Sequence, residues 1–294
     1  IQVVKTGLER RNGKFPDLDD LLEQEEERRE GLQESEQLKN KKKKLSAEIG
    51  KLKQQGQDAS KQMDEVKNLN VFIKELDEKV EGLETIIHEK LLGIPNLPDE
   101  KIRDGNDESS NRFVREWGAK PVLTGEPLNH VELGEKLGLI DLKRAAKISG
   151  ARFAVYRGMG AALLRGLINF MVDVQTQENG YEELYPPFLV NEESLLGTGQ
   201  LPKFGEELFA MKNDPLFLIP TAEVPVTNFH RDEILEEESL PICYTAYTPC
   251  FRREAGSYGK DTQGLIRQHQ FDKVELVKFS KPDDSENELE KLVQ

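Results

Sequence analysis

Residues 251–276 read FRREAGSYGKDTQGLIRQHQFDKVEL, and this stretch decides the fold prediction for the second half of the chain. Lys, Val, Glu and Leu at 273–276 alternate between polar and apolar, which is typical of a strand, and we predict a strand at the first end as well. The glycine-rich middle, 256–264, is typical of a loop. Alternation puts Arg252 and Glu254 on one face of the first strand. The second strand presents four side chains on one face: His269, Phe271, Lys273 and Glu275. The stretch therefore predicts two neighbouring strands that share a polar surface, although either strand alone is equally typical of ordinary solvent exposure.

The rest of the second half has the composition of an enzyme domain. From about Val131 onward, glycine, proline, aromatic and β-branched residues occur at ordinary globular frequency. Apolar positions at helical spacing predict a helix over 160–176. The predicted strands lie at 181–188, 215–220, 243–253 and 269–279. A helix followed by a mostly antiparallel sheet with polar clusters predicts an α+β domain.

The triplet Thr221-Ala222-Glu223 directly follows a predicted buried strand. A hydroxyl and a carboxylate two residues apart can bind a small ligand that carries an amino group. The same residues are an equally ordinary start of a helix, so the triplet alone favours neither interpretation.

The first hundred residues predict an antiparallel helical hairpin. The second helix carries apolar residues that repeat every seven positions, with leucines three residues later: Val66, Ile73, Val80, Ile87, Ile94, and Leu69, Leu76, Leu83. β-Branched residues at one seam position and leucine at the other are typical of a two-stranded coiled coil. A thinner leucine repeat begins at Leu38, with Lys42 at a seam position. Between the two repeats, residues 56–60 contain a glycine and two capping residues, which predicts a short turn.

Lysines cluster toward the predicted tip of this hairpin: Lys39, Lys41, Lys42, Lys43, Lys44, Lys51 and Lys53. The cluster is local, in a chain whose net charge is −14. A basic patch on a projection suits a phosphate backbone. A solvated helix face, or a coiled coil used only for dimerisation, gives the same pattern.

Composition excludes several classes of protein. The net charge of −14 argues against a protein that coats nucleic acid in general. No run of about eighteen apolar residues occurs, so no membrane span is expected, and no apolar segment indicates a signal peptide. Cys243 and Cys250 are too few for a disulfide framework, and the histidines lack metal-ligand spacing, so no metal site is identifiable. A reducing, cytoplasmic location is therefore expected.

Several segments together closely resemble the class II seryl-tRNA synthetase family of the bacterial type. Residues 179–189 resemble the family's first signature motif, with Pro187 at its characteristic proline. Residues 251–271 resemble the second motif, loop included, and DKVE at 272–275 extends that match. The triplet at 221–223 resembles the family's serine-binding triplet. The combination is far more specific than any of its parts.

The resemblance implies three regions and a set of partners. These regions are a coiled-coil tRNA-binding arm at 1–98, a linker leading into the catalytic domain at 99–130, and a class II catalytic domain at 131–294. The implied reaction joins L-serine to tRNA(Ser), and also to tRNA(Sec), with ATP as substrate and Mg²⁺ as its companion. A homodimer through the helix and strand of the first motif is also implied, with no membrane contact. The arm would grip the long variable arm of the tRNA, which gives the lysine cluster a function.

The resemblance also implies a role for each matching residue. Arg252 is the implied catalytic residue, because a planar guanidinium suits the charge that builds on the α-phosphate. Arg253, Glu254 and Phe271 join it in binding ATP; Glu254 would accept from the adenine amino group and Phe271 would stack on the ring. Alternation turns Arg253 toward the other face. The implied serine-binding residues are Thr221, Ala222, Glu223, Arg252 and Glu275.

No segment resembles the third signature motif of class II synthetases, a glycine-rich strand and helix with a second ATP-binding arginine. Residues 1–294 are therefore expected to form an incomplete catalytic domain with little ATP–pyrophosphate exchange of their own. Two other functions stay open. One is a non-catalytic relative that binds nucleotide, RNA or a partner through its coiled coil, and the other is a synthetase for a different amino acid. The retained set of site residues favours a serine–tRNA ligase.

Overall fold

A computed structural model describes residues 1–11, 13–123, 125–255 and 264–294. The chain divides into two compact units, Ile1–Trp117 and Gly118–Gln294. We call them the hairpin unit and the sheet unit. In the described parts of both units, no helix is long and apolar enough to cross a membrane.

The hairpin unit consists of a short helix and two long ones. They are α1 (Gln2–Glu9), α2 (Leu18–Gln54) and α3 (Ser60–Leu92). At about 1.5 Å per residue, α2 is roughly 55 Å long. The buried residues of α3 lie on the predicted heptad positions: Leu69, Ile73, Val80, Leu83 and Ile87. The predicted helical hairpin is thus confirmed, although Ile94, the last position of the repeat, lies beyond the end of α3.

The α2 side of the seam begins earlier in the chain than predicted. The leucine repeat indicated a start at Leu38, but buried residues occur well before it. Asp17 caps α2 by accepting a hydrogen bond from the backbone amide of Asp19 (2.9 Å). Gly31 and Ser35 are the buried seam residues of its middle section. A Cβ at Gly31 would lie 3.1 Å from Val80, so a larger side chain would have to displace that residue. This part of the seam depends on small residues, which a search for apolar repeats does not detect.

The turn between α2 and α3 has the predicted chemistry. Gly56 adopts a left-handed backbone with φ +69°, which glycine tolerates without strain. The Asp58 carboxylate accepts from the backbone amide and the hydroxyl of Ser60, at 2.9 and 2.5 Å. Lys51 and Lys53 lie in the last turn of α2, where positive charge complements the helix dipole.

The sheet unit combines short helices with two small sheets. Its helices are α4 (His130–Lys136), α5 (Leu142–Ser149), α6 (Met159–Asp173), α7 (Glu192–Gly197), α8 (Glu223–Asn228) and α9 (Ser285–Val293). Its strands are β1 (Glu182–Glu183), β2 (Leu189–Val190), β3 (Phe217–Leu218), β4 (Ile242–Phe251) and β5 (Gln270–Phe279). One sheet has the order β1-β4-β5, and the other pairs β2 with β3. The long strands β4 and β5 are antiparallel, as predicted, whereas β1 runs parallel to β4.

Several predicted element boundaries are wrong. Of the strand expected over 181–188 only β1 forms, and β2 begins just beyond it, because Pro186 and Pro187 have no amide hydrogen to donate to a ladder. The strand expected over 215–220 is reduced to β3. The predicted helix 160–176 is α6 followed by a π-helical turn, Val174–Glu178. Strand β4 ends at Phe251, two residues before the expected end.

Two hydrophobic clusters meet at α8. One contains Ile219 and Val224 among its buried residues, and the other contains Ala222 and Val226. All four side chains are at most 1% exposed. Because α8 contributes to both clusters, its first turn, where the triplet 221–223 lies, is held from two sides.

Candidate active site

The ends of β4 and β5 are tied together around Arg252. The backbone amide of Arg252 donates to the carbonyl of His269 (3.0 Å), and Nδ1 of His269 donates back to the carbonyl of Arg252 (2.9 Å). The amide of Phe251 donates to the carbonyl of Ile219 (2.8 Å). These bonds bring the segment before the triplet beside the end of β4. Residues far apart in sequence therefore converge on Arg252.

The guanidinium of Arg252 is held on two sides. It lies over the ring of Phe271, with 5.3 Å between Cζ and the ring centroid, a cation–π arrangement. Its Nε donates to the carbonyl of Pro220 (3.1 Å). No other described residue accepts from the guanidinium, so within this part of the chain its remaining N–H groups are available for a carboxylate or phosphate. Arg252 is thus a pre-oriented cation beside an aromatic surface.

A cavity of about 390 Å³ opens next to this arginine. It is lined by Arg252, Glu254, Leu265, Ile266, Arg267, Gln268 and Phe271. A neighbouring cavity of about 470 Å³ shares Arg252, Glu254 and Arg267 and extends toward Glu207 and Pro220. The structure therefore brings Arg252, Glu254 and Phe271 together, as the sequence predicted. An aromatic ring, a carboxylate and two guanidinium groups suit a ligand with a flat base and an anionic group.

Glu254 reaches the cavity for a reason different from the predicted one. It lies beyond the end of β4, so strand alternation does not orient it. Its backbone has φ +50°, and Nη1 of Arg152 donates to its carbonyl (2.9 Å). Its carboxylate accepts from Nη1 of Arg267 (2.9 Å). A left-handed residue outside a strand is rare for a non-glycine and is typical of functional sites.

Arg267 is a cavity residue that sequence reasoning missed. It lies in an irregular segment before β5, where no periodic pattern singles it out. The segment is fixed nearby, since the amide of Leu265 donates to Nε2 of His130 (3.0 Å). The guanidinium of Arg267 forms an ion pair with the carboxylate of Glu254 in this structure. A ligand that binds this carboxylate must therefore displace or rearrange the arginine.

The triplet joins β5 in a second polar cluster. Thr221 is 4% exposed, and its hydroxyl donates to Oε2 of Glu275 (2.6 Å). Nζ of Lys273 donates to the same hydroxyl (2.7 Å) and also pairs with Glu275. Ala222 is fully buried, whereas Glu223 is exposed at the first position of α8. The backbone amide of Glu223, the first residue of α8, donates to the Thr221 hydroxyl (3.3 Å), so the triplet leads into a helix as its other interpretation expected.

Arg253 stands apart from these groups. Its backbone amide donates to the carbonyl of Glu207 (2.8 Å), and its side chain is exposed. It is not among the described residues that line either cavity. The predicted loop falls mainly on residues 256–263, which lie outside the part of the chain that the structure describes.

The unit provides little evidence for nucleophilic or metal chemistry of its own. Burial raises the pKa of the thiols of Cys243 and Cys250, which disfavours the reactive thiolate. Burial, followed by the hydrogen bond to Asp272, raises the pKa of Tyr247 to about 12. Across residues 1–11, 13–123, 125–255 and 264–294, no group of three metal-ligating side chains comes together. The groups that do come together suit binding and charge stabilisation.

The lysines of the hairpin unit differ in how available they are to a partner. Lys39 pairs with Asp77 (2.8 Å) and Lys41 pairs with Glu65 (2.7 Å), so both bridge α2 to α3. Lys42 is half-buried at the seam. The others are exposed and form no ion pair with any described residue: Lys43, Lys44, Lys51 and Lys53. Of the cluster, only these four exposed lysines are fully available to an anionic partner.

Two family models match separate parts of the chain. Residues 1–98 match the seryl-tRNA synthetase N-terminal domain, and residues 208–294 match the tRNA synthetase class II core domain (G, H, P, S and T). Over 293 residues, the chain is 52% identical to the serine–tRNA ligase of Geotalea uraniireducens and 50% identical to that of Carboxydothermus hydrogenoformans. These matches cover 100% of this chain and 69% of each relative. The match to the Syntrophobacter fumaroxidans ligase, at 54% identity, covers 93% of this chain and 64% of that relative. The chain thus spans about two thirds of the length of these curated relatives.

Solved structures agree with these matches. The seryl-tRNA synthetase of Pyrococcus horikoshii complexed with ATP has a TM-score of 0.82 at 33% identity, covering 94% of this chain and 66% of that one. The cytoplasmic serine–tRNA ligase of Naegleria fowleri in complex with AMP has a TM-score of 0.80 at 24% identity, covering 98% of this chain and 70% of that one. At this identity, the similarity supports the fold only. The predicted fold class, a helical hairpin followed by an α+β class II domain, is confirmed.

Proposed function

The chain belongs to the seryl-tRNA synthetase family, and we propose that it activates L-serine with ATP and passes the seryl group to tRNA(Ser). The observation that carries this proposal is the position of Arg252, between the cavity that contains Phe271 and the cluster that contains Thr221. A cation at that junction can contact the nucleotide and the amino acid at once. By the same resemblance, tRNA(Sec) is a second acceptor, and the reaction takes place in the cytoplasm.

The first step needs no protein nucleophile. The serine carboxylate attacks the α-phosphorus of ATP in line, a new O–P bond forms, and the bond to pyrophosphate breaks. Negative charge on the phosphoryl oxygens increases as pyrophosphate leaves, and a fixed guanidinium stabilises it without reorganisation. Arg252 is already oriented by Phe271 and the Pro220 carbonyl. The protein's contribution is therefore positioning and charge stabilisation.

We assign the adenine to the cavity of Phe271 and Glu254. The ring would stack on Phe271, and the Glu254 carboxylate would accept from the adenine amino group. Arg267 pairs with that carboxylate in this structure, so nucleotide binding includes its rearrangement. Arg253 stays a proposed ATP contact, with less support, because its side chain is exposed and does not line the cavities. Mg²⁺ would be held largely by the phosphates of ATP and by water, as is usual where this ion accompanies a nucleotide.

We assign the serine to the cluster around the triplet, namely Thr221, Ala222, Glu223, Arg252 and Glu275. Carboxylates suit the two donors of serine, its ammonium and its hydroxyl. Alanine lacks the hydroxyl and would leave a carboxylate oxygen without its donor, which is costly in a partly buried site. Ala222 is fully buried in a hydrophobic cluster and so anchors the triplet. The cluster therefore provides a physical basis for choosing serine.

We further propose that a homodimer forms through α6 and the adjoining strand. Five large apolar side chains on α6 are between 43% and 74% exposed: Met159, Leu163, Leu167, Phe170 and Met171. An apolar helix face of this extent is typical of a protein interface. We expect Phe170→Asp to shift the complete protein from dimer to monomer in analytical ultracentrifugation. The exposed Ile234→Asp is a matched control, and a dimer that survives Phe170→Asp would contradict this assignment.

We assign the hairpin, within residues 1–98, to the tRNA. The available lysines near its tip supply positive charge on an otherwise acidic chain. Residues 99–130 would act as the linker, and 131–294 as the part of the catalytic domain present in this chain. The scaffold alternative is not favoured, because the relatives are ligases, and because Arg252, Glu254 and Phe271 line one cavity while Thr221 contacts Glu275.

The experiment that tests the function is amino-acid-dependent ATP–pyrophosphate exchange by the complete protein. Serine should support exchange, and threonine and alanine should support far less. Absence of serine-dependent exchange together with retained nucleotide binding would favour the scaffold. Faster exchange with threonine or alanine would indicate a synthetase for another amino acid.

A further inference from the structure

Lys273 is a second cation in the proposed serine site, where Arg252 is already assigned to the anionic groups of the substrates. Its Nζ donates to the hydroxyl of Thr221 (2.7 Å) and pairs with the carboxylate of Glu275. A cation is an unfavourable neighbour for the ammonium group of an amino acid. Its presence therefore needs an explanation in terms of the groups that it contacts.

The Thr221 hydroxyl is fully used by its neighbours. A hydroxyl has one hydrogen to donate and two lone pairs to accept with. Thr221 donates to Glu275 (2.6 Å) and accepts from Nζ of Lys273 (2.7 Å) and the amide of Glu223 (3.3 Å). Because Lys273 can only donate, its contact forces the hydroxyl hydrogen toward Glu275. The lysine thus sets the direction of a buried hydrogen bond.

The carboxylate of Glu275 is held by one oxygen. Thr221 and Lys273 both contact Oε2. No described residue donates to Oε1, so this oxygen stays available to a ligand. Two fixed contacts on one oxygen prevent the carboxylate from rotating. Glu275 therefore presents a single acceptor in a defined direction.

The carboxylates of Glu275 and Glu223 differ in whether a cation neutralises them. Lys273 offsets the charge of Glu275, and both side chains are only about a quarter exposed, at 28% and 24%. Glu223 is exposed, and no described cation contacts its carboxylate. The ammonium group of serine is attracted to Glu223, whose charge no described cation offsets. The neutral hydroxyl of serine can donate to Glu275, although Lys273 already neutralises that carboxylate. The pairing thus distinguishes the two polar ends of serine.

We propose that Lys273 is a positioning residue that, together with Thr221, orients the Glu275 carboxylate for the side-chain hydroxyl of serine. This inference rests on the proposed function and adds a specificity-determining residue to it. Lys273 does not line the nucleotide cavity. Its loss should therefore affect the amino acid and leave the nucleotide alone.

A purely structural ion pair looks different on the same strand. Lys278 pairs with Glu288 (2.9 Å), and Lys291 contacts the same glutamate, so this cluster attaches β5 to α9. Glu288 is buried and bridges two lysines. By contrast, among the described residues, Lys273 joins no second element to β5 by an ion pair. It contacts Thr221 and Glu275, which already share a hydrogen bond and lie in the proposed serine site. The two roles make different kinetic predictions.

The test compares Lys273→Met and Lys273→Arg in the complete protein, with pyrophosphate exchange as the assay. For Lys273→Met, kcat/KM for serine should fall by about 10- to 100-fold, the loss typical of hydrogen bonds to a charged group. The ratio of serine to alanine activity should fall as well, while the KM for ATP stays unchanged. Lys273→Arg retains the charge and should recover part of the loss. Lys281→Met, which removes an exposed ion pair with Glu237 just beyond β5, is the matched control.

The inference is overturned if Lys273→Met keeps the wild-type serine kinetics and serine-to-alanine ratio. It is equally overturned if KM rises for both substrates together with a lower melting temperature, since that pattern marks a structural role. A wild-type protein without serine-dependent exchange would instead overturn the proposed function itself. The two failures are therefore distinguishable.

Discussion

The hairpin unit and the sheet unit use polar side chains in opposite ways. Among the described residues, the hairpin buries one polar side chain, Ser35, which donates to Asp77 (2.6 Å). The sheet unit buries several: Thr221, Thr245, Thr248, Gln268 and Glu288. Buried polar groups fix geometry only when their partners are in place. The hairpin is therefore built from repeated packing, whereas the sheet unit depends on a few directed hydrogen bonds around its site.

The largest effect is expected from removing Arg252, because the directed polar groups of the sheet unit surround the proposed chemistry. Arg252→Ala should lower serine-dependent pyrophosphate exchange by about 10²- to 10³-fold, as for loss of one group that stabilises transition-state charge. The melting temperature should change little, since among the described residues the guanidinium donates only to the carbonyl of Pro220. Arg144→Ala removes an exposed arginine paired with Asp141 and is the control. Near-normal exchange by Arg252→Ala would contradict the site.

The next effect belongs to the hairpin and concerns tRNA. Replacing the four available lysines by alanine (Lys43, Lys44, Lys51 and Lys53) should weaken tRNA binding and leave serine-dependent exchange unchanged. The slope of log K against log salt should become shallower by roughly 0.7–0.9 for each phosphate that the protein no longer neutralises. Alanine at the ion-paired Lys39 and Lys41 should change binding less. Equally weakened binding for both sets would show that pairing with Asp77 and Glu65 does not matter.

A core substitution in the hairpin should affect stability without affecting the chemistry. Leu83→Ala removes a buried seam residue and should destabilise the hairpin by about 2–3 kcal/mol. Denaturant unfolding monitored by helicity measures this, and pyrophosphate exchange should remain normal. Val71→Ala, at a residue 54% exposed on the same helix, is the control. A parallel decrease in exchange would show that the two units are coupled energetically.

The smallest effect is the response of the hairpin to acid. The hydrogen bond from Arg28, and then the one from Arg29, lower the pKa of Glu25 from 4.5 to about 2. Because the folded-state pKa lies below the unfolded one, the ionised Glu25 stabilises the hairpin above about pH 4.5. That contribution is lost as pH falls toward about 2. Glu25→Gln should flatten this part of a helicity–pH curve slightly, since exposed ion pairs contribute little. An unchanged curve would show that Glu25 does not contribute to the acid response.

The sequence predicted the hairpin better than the site, for physical reasons. A heptad seam is a local pattern, so Leu69 to Ile87 could be identified from spacing alone. The matching section of α2 escaped because Gly31 and Ser35 stabilise the seam by being small. In the sheet unit, strand alternation put Lys273 and Glu275 on one face correctly. It could not bring Thr221 to them across 54 residues, because that contact depends on the register of β4 and on the path of 219–220.

Two further features could not be derived from pattern. Glu254 faces the cavity through a left-handed backbone held by Arg152, and no periodicity indicates such a conformation. Arg267 belongs to an irregular segment, so nothing in the sequence separated it from an ordinary surface arginine. The resemblance implied the role of Glu254, whereas Arg267 was identified only from the structure. Sites built from loop ends and distant strands are the least local feature of a fold.

Above all, we infer that the ends of β4 and β5, together with the triplet, bind one seryl-adenylate molecule. A crystal structure of the complete protein with a non-hydrolysable seryl-adenylate analogue is the decisive measurement. We predict the adenine on Phe271 with its amino group at Glu254, Arg267 moved away from Glu254, Arg252 at the phosphate-equivalent group, and the serine hydroxyl at Glu275. An analogue bound elsewhere, or bound here with its serine end away from Thr221 and Glu275, would show that the assigned site is wrong.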